Sequence, residues 1–156
     1  TLFRSYDANI PLIEALPSVA RSGAATYAGM GLRDLCDALH ACYCENATAR
    51  AMRRMYTALP EPAMTPAQAY DALVRGEVEA VPIDELEGRV AAVMLVPYPP
   101  GIPLIMPGER FTAETRSIID YLQFARTFDS QFPGFDADVH GLQRDGACYT
   151  VDCIKE

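Results

Sequence analysis

From Val96 to Glu109 the chain reads Val-Pro-Tyr-Pro-Pro-Gly-Ile-Pro-Leu-Ile-Met-Pro-Gly-Glu, and this stretch restricts the fold more than any other. It holds Pro97, Pro99, Pro100, Pro103 and Pro107, five of the twelve prolines, with Gly101 and Gly108. Proline fixes φ, removes an amide donor and pushes the residue before it toward extended backbone, so no helix forms here. The pattern predicts a buried strand ending in a stiff loop, then a second short strand from the apolar insert Ile102 to Met106, then a Pro-Gly turn. A loop this rigid holds backbone in one place, either to pack or to line a cavity.

At 156 residues, half of them hydrophobic and 22% charged, the chain has enough apolar surface for one domain without disulfide staples. The net charge of −8 leaves no basic footprint, which argues against nucleic acid or an anionic membrane as a partner. No apolar run approaches the ~20 residues of a membrane span, and no basic leader precedes an apolar core. Five cysteines, an odd number without a CxxC, read as reduced thiols in a cytoplasmic protein. A start at Thr rather than Met suits a piece of a longer polypeptide.

Leu2-Phe3 reads as the end of a strand, and residues 1–26 as the tail of a preceding domain plus a linker. Tyr27 to Glu45 reads as a helix with Leu32, Leu35, Leu39 and Cys42 as its core stripe. A second helix spans Asn46 to Ala58, after a break at Glu45-Asn46 or a cap at Thr48, and buries Met52, Met55, Tyr56 and Leu59. Thr65 followed by Pro66 and Gln68 is a capping-box start for a third helix, which Gly76 ends. From Glu77 the period becomes two, with Val78 and Ala80 facing inward. Asp84 to Gly88 is a turn, and Arg89 to Val96 reads as a central strand covered on both faces. Thr112 starts the strongest helix, whose apolar face is Ile118, Ile119, Leu122, Ala125 and Phe128. Asp145-Gly146 joins the last two strands as a hairpin. The expected fold class is α+β: a small mixed or antiparallel sheet with about four helices.

Few residues offer chemistry. Tyr98 can present a hydroxyl and Glu109 a carboxylate to a cationic group at the mouth of a cavity; Glu109 can equally pair with Arg110 or Arg89, or simply close a turn. Cys36, His40 and Cys44 recur at four-residue spacing along one helix. Over ~12 Å of axial rise, at about 1.5 Å per residue, the three cannot reach one tetrahedral ion together, so no metal is expected and the cysteines read as small buried thiols beside a flanking His. His140, before Gly141 in a strand, reads as structural.

Pro97-Tyr98-Pro99-Pro100-Gly101-Ile102-Pro103 with Pro107-Gly108-Glu109 resembles the hallmark of the C-terminal domain of the bacterial pyridoxal-phosphate-dependent ornithine/lysine/arginine decarboxylases. Further stretches agree, in order along the chain: Tyr27-Ala28-Gly29-Met30 with Leu32-Arg33-Asp34-Leu35, Leu59-Pro60-Glu61, Met64 to Tyr70, Arg75 to Glu79, Glu87-Gly88-Arg89, and Phe132-Pro133-Gly134-Phe135 with Asp138-Val139-His140-Gly141. Phe124-Ala125-Arg126-Thr127-Phe128-Asp129 resembles the biodegradative, acid-inducible arginine branch.

The resemblance implies that residues 27–156 form this C-terminal domain of a fold-type-I enzyme. A pyridoxal phosphate domain and a small aminotransferase-like domain would lie upstream in the same polypeptide, the latter ending within residues 1–26. It implies a homodimer that builds larger assemblies, with an acidic surface that loses charge at low pH. The reaction implied is decarboxylation of a basic amino acid, arginine to agmatine for the arginine branch, which consumes a proton and so resists acid; lysine and ornithine are the alternatives. Tyr98, Pro99, Pro100, Gly101 and Glu109 would then flank the active-site entrance. An alternative is a purely structural or oligomerisation module without substrate contact. The cofactor lysine is not here: Lys155 is the only lysine, and the family's Ser-x-His-Lys type of motif is absent. The chain alone is therefore expected neither to bind pyridoxal phosphate nor to decarboxylate.

Overall fold

The computed structural model describes residues 9–46, 48–98, 100–135 and 137–155, with 48 and 49 described by their backbone alone. The expected Leu2-Phe3 strand and the Thr48 cap lie outside what is described. The chain divides into two compact units, one of residues 1–49 and 127–136, the other of residues 50–126 and 137–156.

The first unit is helical: α1 (Leu12–Ala15), α2 (Pro17–Ser22) and α3 (Leu32–Glu45). Its buried apolar groups include Leu12, Ala20, Tyr27, Leu35, Cys42, Phe128 and Phe132. Burial pushes the Cys42 thiol up from its ordinary value, with Glu45 adding to the shift. The helix expected from Tyr27 begins five residues later. Gly29 takes φ +76° and breaks the run. Gly31 is the N-cap but has no side chain to cap with, so the orphan amides are met from elsewhere. The Asp34 carboxylate accepts the Gly31 N–H at 2.8 Å, and the Asn9 side-chain oxygen accepts the Arg33 N–H at 2.9 Å. A Cβ at Gly31 would lie 2.0 Å from that Asn9 oxygen, so glycine is required there. The Tyr27 hydroxyl donates to the Pro133 carbonyl at 3.0 Å.

The second unit carries all of the described strands. The central sheet has the order β2 (Val78–Pro82), β7 (Cys148–Ile154), β6 (Leu142–Asp145), antiparallel throughout. Val81 pairs with Val151, and Asp145 with Cys148 across the expected Asp145-Gly146 turn. Two smaller antiparallel pairs are β1 (Glu61–Pro62) with β4 (Glu109–Arg110), and β3 (Val96–Tyr98) with β5 (Asp138–His140). The helices are α4 (Thr48–Met55), α5 (Pro66–Val74) and α6 (Arg116–Gln131), the first and last running on into the first unit. Small antiparallel sheets with several helices bear out the α+β expectation.

Helix α5 starts as its sequence dictates: the Gln68 N–H donates to the Thr65 hydroxyl at 3.3 Å and the Gln68 side chain accepts the Thr65 N–H at 2.9 Å. On α6, Ile118, Ile119, Leu122, Ala125 and Phe128 are all buried, as the helical spacing predicts. With Phe111, Ile83, Leu86, Leu95, Ile105 and Val151, the first three of these form the core of the second unit. Cys153 lies in that core, and desolvation pushes its thiol up to about 12.

Three expectations need correction. Arg89 to Val96 is not a continuous strand. Val90, Ala91 and Leu95 make isolated bridges to Arg110, Cys153 and Ile105. The run switches partners along its length, because Ala91 bonds to Gly108 and Glu109, whereas Leu95 bonds to Leu104 and Ile105. Second, among the described side chains of α4 only Met55 is buried. It ends there, so Tyr56 and Leu59 no longer continue its stripe, and Leu59 is 83% exposed; Met52 is exposed as well. Third, β2 turns Val81 inward, on the parity of Glu79 rather than of Val78 and Ala80, because the buried set continues into Ile83. Glu79 on that face ion-pairs with Arg89. Among the described residues no helix is long and apolar enough to cross a membrane.

Candidate functional site

The Pro-rich loop is held by backbone at both ends. On the way in, Val96, Pro97 and Tyr98 pair with His140, Val139 and Asp138. The Leu104 N–H donates to the Leu95 carbonyl at 2.9 Å, and the Leu95 N–H to the Ile105 carbonyl at 3.1 Å. On the way out, the Gly108 N–H donates to Ala91 at 2.8 Å, and the Gly108 carbonyl accepts the Ala63 and Met64 amides at 2.9 and 3.0 Å. Gly108 has φ +89°, and a Cβ there would stand 2.5 Å from the Met64 carbonyl oxygen. The sequence singled out Gly108 only as half of a Pro-Gly turn. Its close approach to Met64 comes from residues more than forty positions earlier and has no local signal.

Between these anchors, Pro97, Leu104 and Ile105 are buried and the tip is exposed. Gly101 has φ +79° and its amide donates to the Pro97 carbonyl at 2.8 Å, folding the tip back. Tyr98 is 62% exposed, and its hydroxyl makes no hydrogen bond among the described residues. Pro100 and Gly101 are exposed; Pro99 lies outside the described residues. Ile102 and Met106 are exposed apolar groups on the same loop, and Met94 precedes it. Because Leu95 bridges Ile105 in antiparallel register, Met94 and Met106 stand opposite each other.

Glu109 is engaged locally. Its carboxylate accepts the Met106 N–H at 2.6 Å. Neither expected arginine partner takes it: Arg89 pairs with Glu79, and Arg110 donates to the Gly88 carbonyl at 2.5 Å. Prolines 103 and 107 have no N–H to give, so the Met106 amide, directly before Pro107, is a donor that the loop must satisfy, and Glu109 does so. Of the expected site residues, the structure therefore puts Tyr98, Pro100 and Gly101 together at the exposed tip, and Glu109 at its base.

The remaining candidates do not converge on the loop. His140 is exposed on β5, opposite Val96. Cys36 and Cys44 are exposed rather than buried, and Cys44 Sγ lies 3.5 Å from His40 Nε2. Among the described residues no group of three or more His, Cys, Asp or Glu side chains is placed to hold a metal. Lys155 Nζ donates to the Gly76 carbonyl at 2.9 Å, at the end of β7 and far along the chain from the loop. A Schiff-base cofactor needs a lysine amine in a pocket with a phosphate cradle, and these residues do not fit one. What the loop offers is a rigid rim with one phenol and several apolar groups.

Residues 49–155 match the family described as Orn/Lys/Arg decarboxylase, C-terminal domain. The chain is 72% identical, over 98% of its length, to lysine decarboxylase LdcA of Pseudomonas aeruginosa, and covers 21% of that protein. It is 39% identical to the biodegradative arginine decarboxylase of Escherichia coli, covering 97% of this chain and 20% of that one. The solved constitutive lysine decarboxylase of Escherichia coli superposes with a TM-score of 0.90 at 37% identity, over 99% of this chain and 22% of that structure. The chain thus spans about a fifth of the length of the relatives that it matches. With the proline-rich hallmark, the small antiparallel sheets and a family match over most of its length, the chain belongs to the C-terminal domain family of the ornithine, lysine and arginine decarboxylases.

Proposed function

We propose that this domain serves a pyridoxal-phosphate-dependent decarboxylase of a basic amino acid, and that the amino acid is lysine. The observation that carries the substrate is the 72% identity to lysine decarboxylase LdcA, set against 39% to the arginine enzyme. This replaces the arginine expectation drawn from Phe124 to Asp129. That segment spans the last turns of α6, where Ala125 and Phe128 are buried packing residues and Arg126 ion-pairs with Asp84. The arginine and constitutive lysine decarboxylases of Escherichia coli, each 39% identical, stand equally far from this chain, so only the nearer relative separates the substrates.

The cofactor and the reacting groups are supplied by the rest of the polypeptide, since the one lysine of this chain is tied to Gly76 at the end of the sheet. The part we assign to this domain is the rim of the active-site entrance: Tyr98, Pro100 and Gly101 present the exposed tip, and Glu109 holds its base. A second reading, a structural or assembly domain without substrate contact, is favoured at one residue, because the Glu109 carboxylate already accepts a backbone amide.

The test is decarboxylation by the full-length polypeptide on lysine, arginine and ornithine, for the wild type, Tyr98→Phe and Glu109→Ala. The expected result is a preference for lysine. Tyr98→Phe should lower kcat/KM without lowering the melting temperature, whereas Glu109→Ala should lower both together. Preference for arginine would overturn the substrate. Unchanged kinetics in Tyr98→Phe would leave the loop as a packing and assembly element.

A further inference from the structure

Helix α3 carries a second kind of chemistry, in the first unit. Cys36, His40 and Cys44 follow one another at four-residue spacing, so they drift only slowly around the helix and share its exposed side. Cys42, by contrast, is turned inward. Of the exposed three, His40 and Cys44 are already in contact, with Nε2 and Sγ 3.5 Å apart. Bonds of about 2.0–2.1 Å to imidazole nitrogen and about 2.3 Å to thiolate, meeting at the tetrahedral angle, require nitrogen and sulfur to be about 3.6 Å apart. The bite that one zinc-sized ion needs is present without moving either side chain far.

We propose that His40 and Cys44 form a two-donor chelate for a borderline-soft d10 cation, Zn2+ being the reference ion. An imidazole and a thiolate select such a cation over Mg2+ or Ca2+, which take oxygen ligands. A d10 ion has no geometric demand of its own, so two waters complete the tetrahedron. Cys36 stands ~6 Å further along the axis at about 1.5 Å per residue, on the far side of an imidazole whose Nε2 is turned to Cys44, and it remains outside the site. On loading, the Cys44 S–H bond gives its proton to solvent as the sulfur–metal bond forms. The His40 Nε2 lone pair forms the second bond, with the ring proton on Nδ1, and four of the six waters of the aqueous cation leave. A chelate that ties positions four apart also stabilises the last turns of α3. The site is independent of the Pro-rich loop and of the substrate proposed for it.

Cysteine alkylation reads the site residue by residue in the full-length protein. The metal-free protein is treated with iodoacetamide with and without Zn2+, and labelling at Cys36, Cys42 and Cys44 is resolved by fragment-ion mass spectrometry. Zn2+ at about ten times its Kd is expected to slow labelling of Cys44 by about tenfold, and to leave Cys36 unchanged. His40→Ala should abolish the protection of Cys44, and Cys36→Ser should keep it. A metal-free Cys44 that does not label, labelling that Zn2+ leaves unchanged, or protection that survives His40→Ala would each overturn the proposal. Loss of protection in both His40→Ala and Cys36→Ser would replace the pair by a three-donor site and overturn it equally.

Discussion

Gly108 and Gly88 separate two costs that a glycine can hide. Both have φ +89°, but a Cβ at Gly88 meets nothing within 4 Å, whereas at Gly108 it would stand 2.5 Å from the Met64 carbonyl oxygen. For Gly88→Ala the only penalty is the left-handed backbone, about 1–2 kcal/mol for an L-residue. The smaller entropy of the unfolded alanine chain offsets about 0.4–1 kcal/mol of it, leaving roughly 1 kcal/mol of destabilisation. Gly108→Ala carries that same amount and must also move Met64. The Gly108 carbonyl accepts both the Ala63 and Met64 amides. Pushing the 63–64 segment away therefore breaks two hydrogen bonds, each worth about 1 kcal/mol net, for a total near 3 kcal/mol. Urea unfolding of the chain measures both variants, with the comparison taken from midpoints at unchanged slope. If Gly108→Ala falls within about 0.5 kcal/mol of Gly88→Ala, well below the roughly 2 kcal/mol expected from two lost hydrogen bonds, the close approach to Met64 does not hold the loop and the argument fails. On the function proposed above, Gly108→Ala in the full-length polypeptide is expected to lower kcat/KM as well, because it displaces the base of the loop.

Two further predictions rest on local chemistry. Thr65→Ala removes the hydroxyl that accepts the Gln68 N–H and is expected to cost about 1 kcal/mol in the same urea experiment; Thr65→Ser should restore most of it, and equal loss in both would place the effect outside the cap. The Arg126 guanidinium, with help from Gln123, holds the Asp84 carboxyl below its ordinary 3.8. A depressed folded value stabilises fully above the unfolded one and is lost as pH falls through it, so the stability gap between wild type and Asp84→Asn should be constant near neutrality and shrink below about pH 4. A gap that does not change across that range would show that the pair makes no contribution.

What was legible in the sequence is what a few adjacent residues decide. Thr65, Pro66 and Gln68 lie within one turn, and the cap forms as written. The α6 stripe repeats often enough that one face must be buried, and Asp145-Gly146 permits little but a tight turn. The failures share a cause: each turns on a partner remote in sequence. Nothing around Gly31 reveals that Asn9 supplies the oxygen for the start of α3. The apolar run from Arg89 looks continuous, yet its hydrogen bonds are divided among partners as far apart as Leu104, Gly108, Phe111, Asp152 and Ile154. Met52 and Met55 look alike on a helical wheel, and only the neighbours of Met55 make it a core residue.

The same division runs through the candidate site. The prolines announce a rigid loop, and the loop is clamped at both ends. The role of Glu109 was open, because a carboxylate near two arginines looks as ready to pair with them, or to meet a cationic substrate, as to close a turn. The deciding fact is a backbone amide. In a loop where proline removes donors at 97, 99, 100, 103 and 107, each remaining N–H has few carbonyls in reach, and the one at Met106 falls to the Glu109 side chain. That assignment makes Glu109 a positioning residue and leaves Tyr98, exposed and with no partner for its hydroxyl among the described residues, as the one polar side chain at the described tip. The two substitutions should therefore part company: Glu109→Gln, which keeps an acceptor for the Met106 amide, should retain most of the activity that Glu109→Ala loses, whereas for Tyr98 the hydroxyl itself is what a substrate or a neighbouring domain would feel.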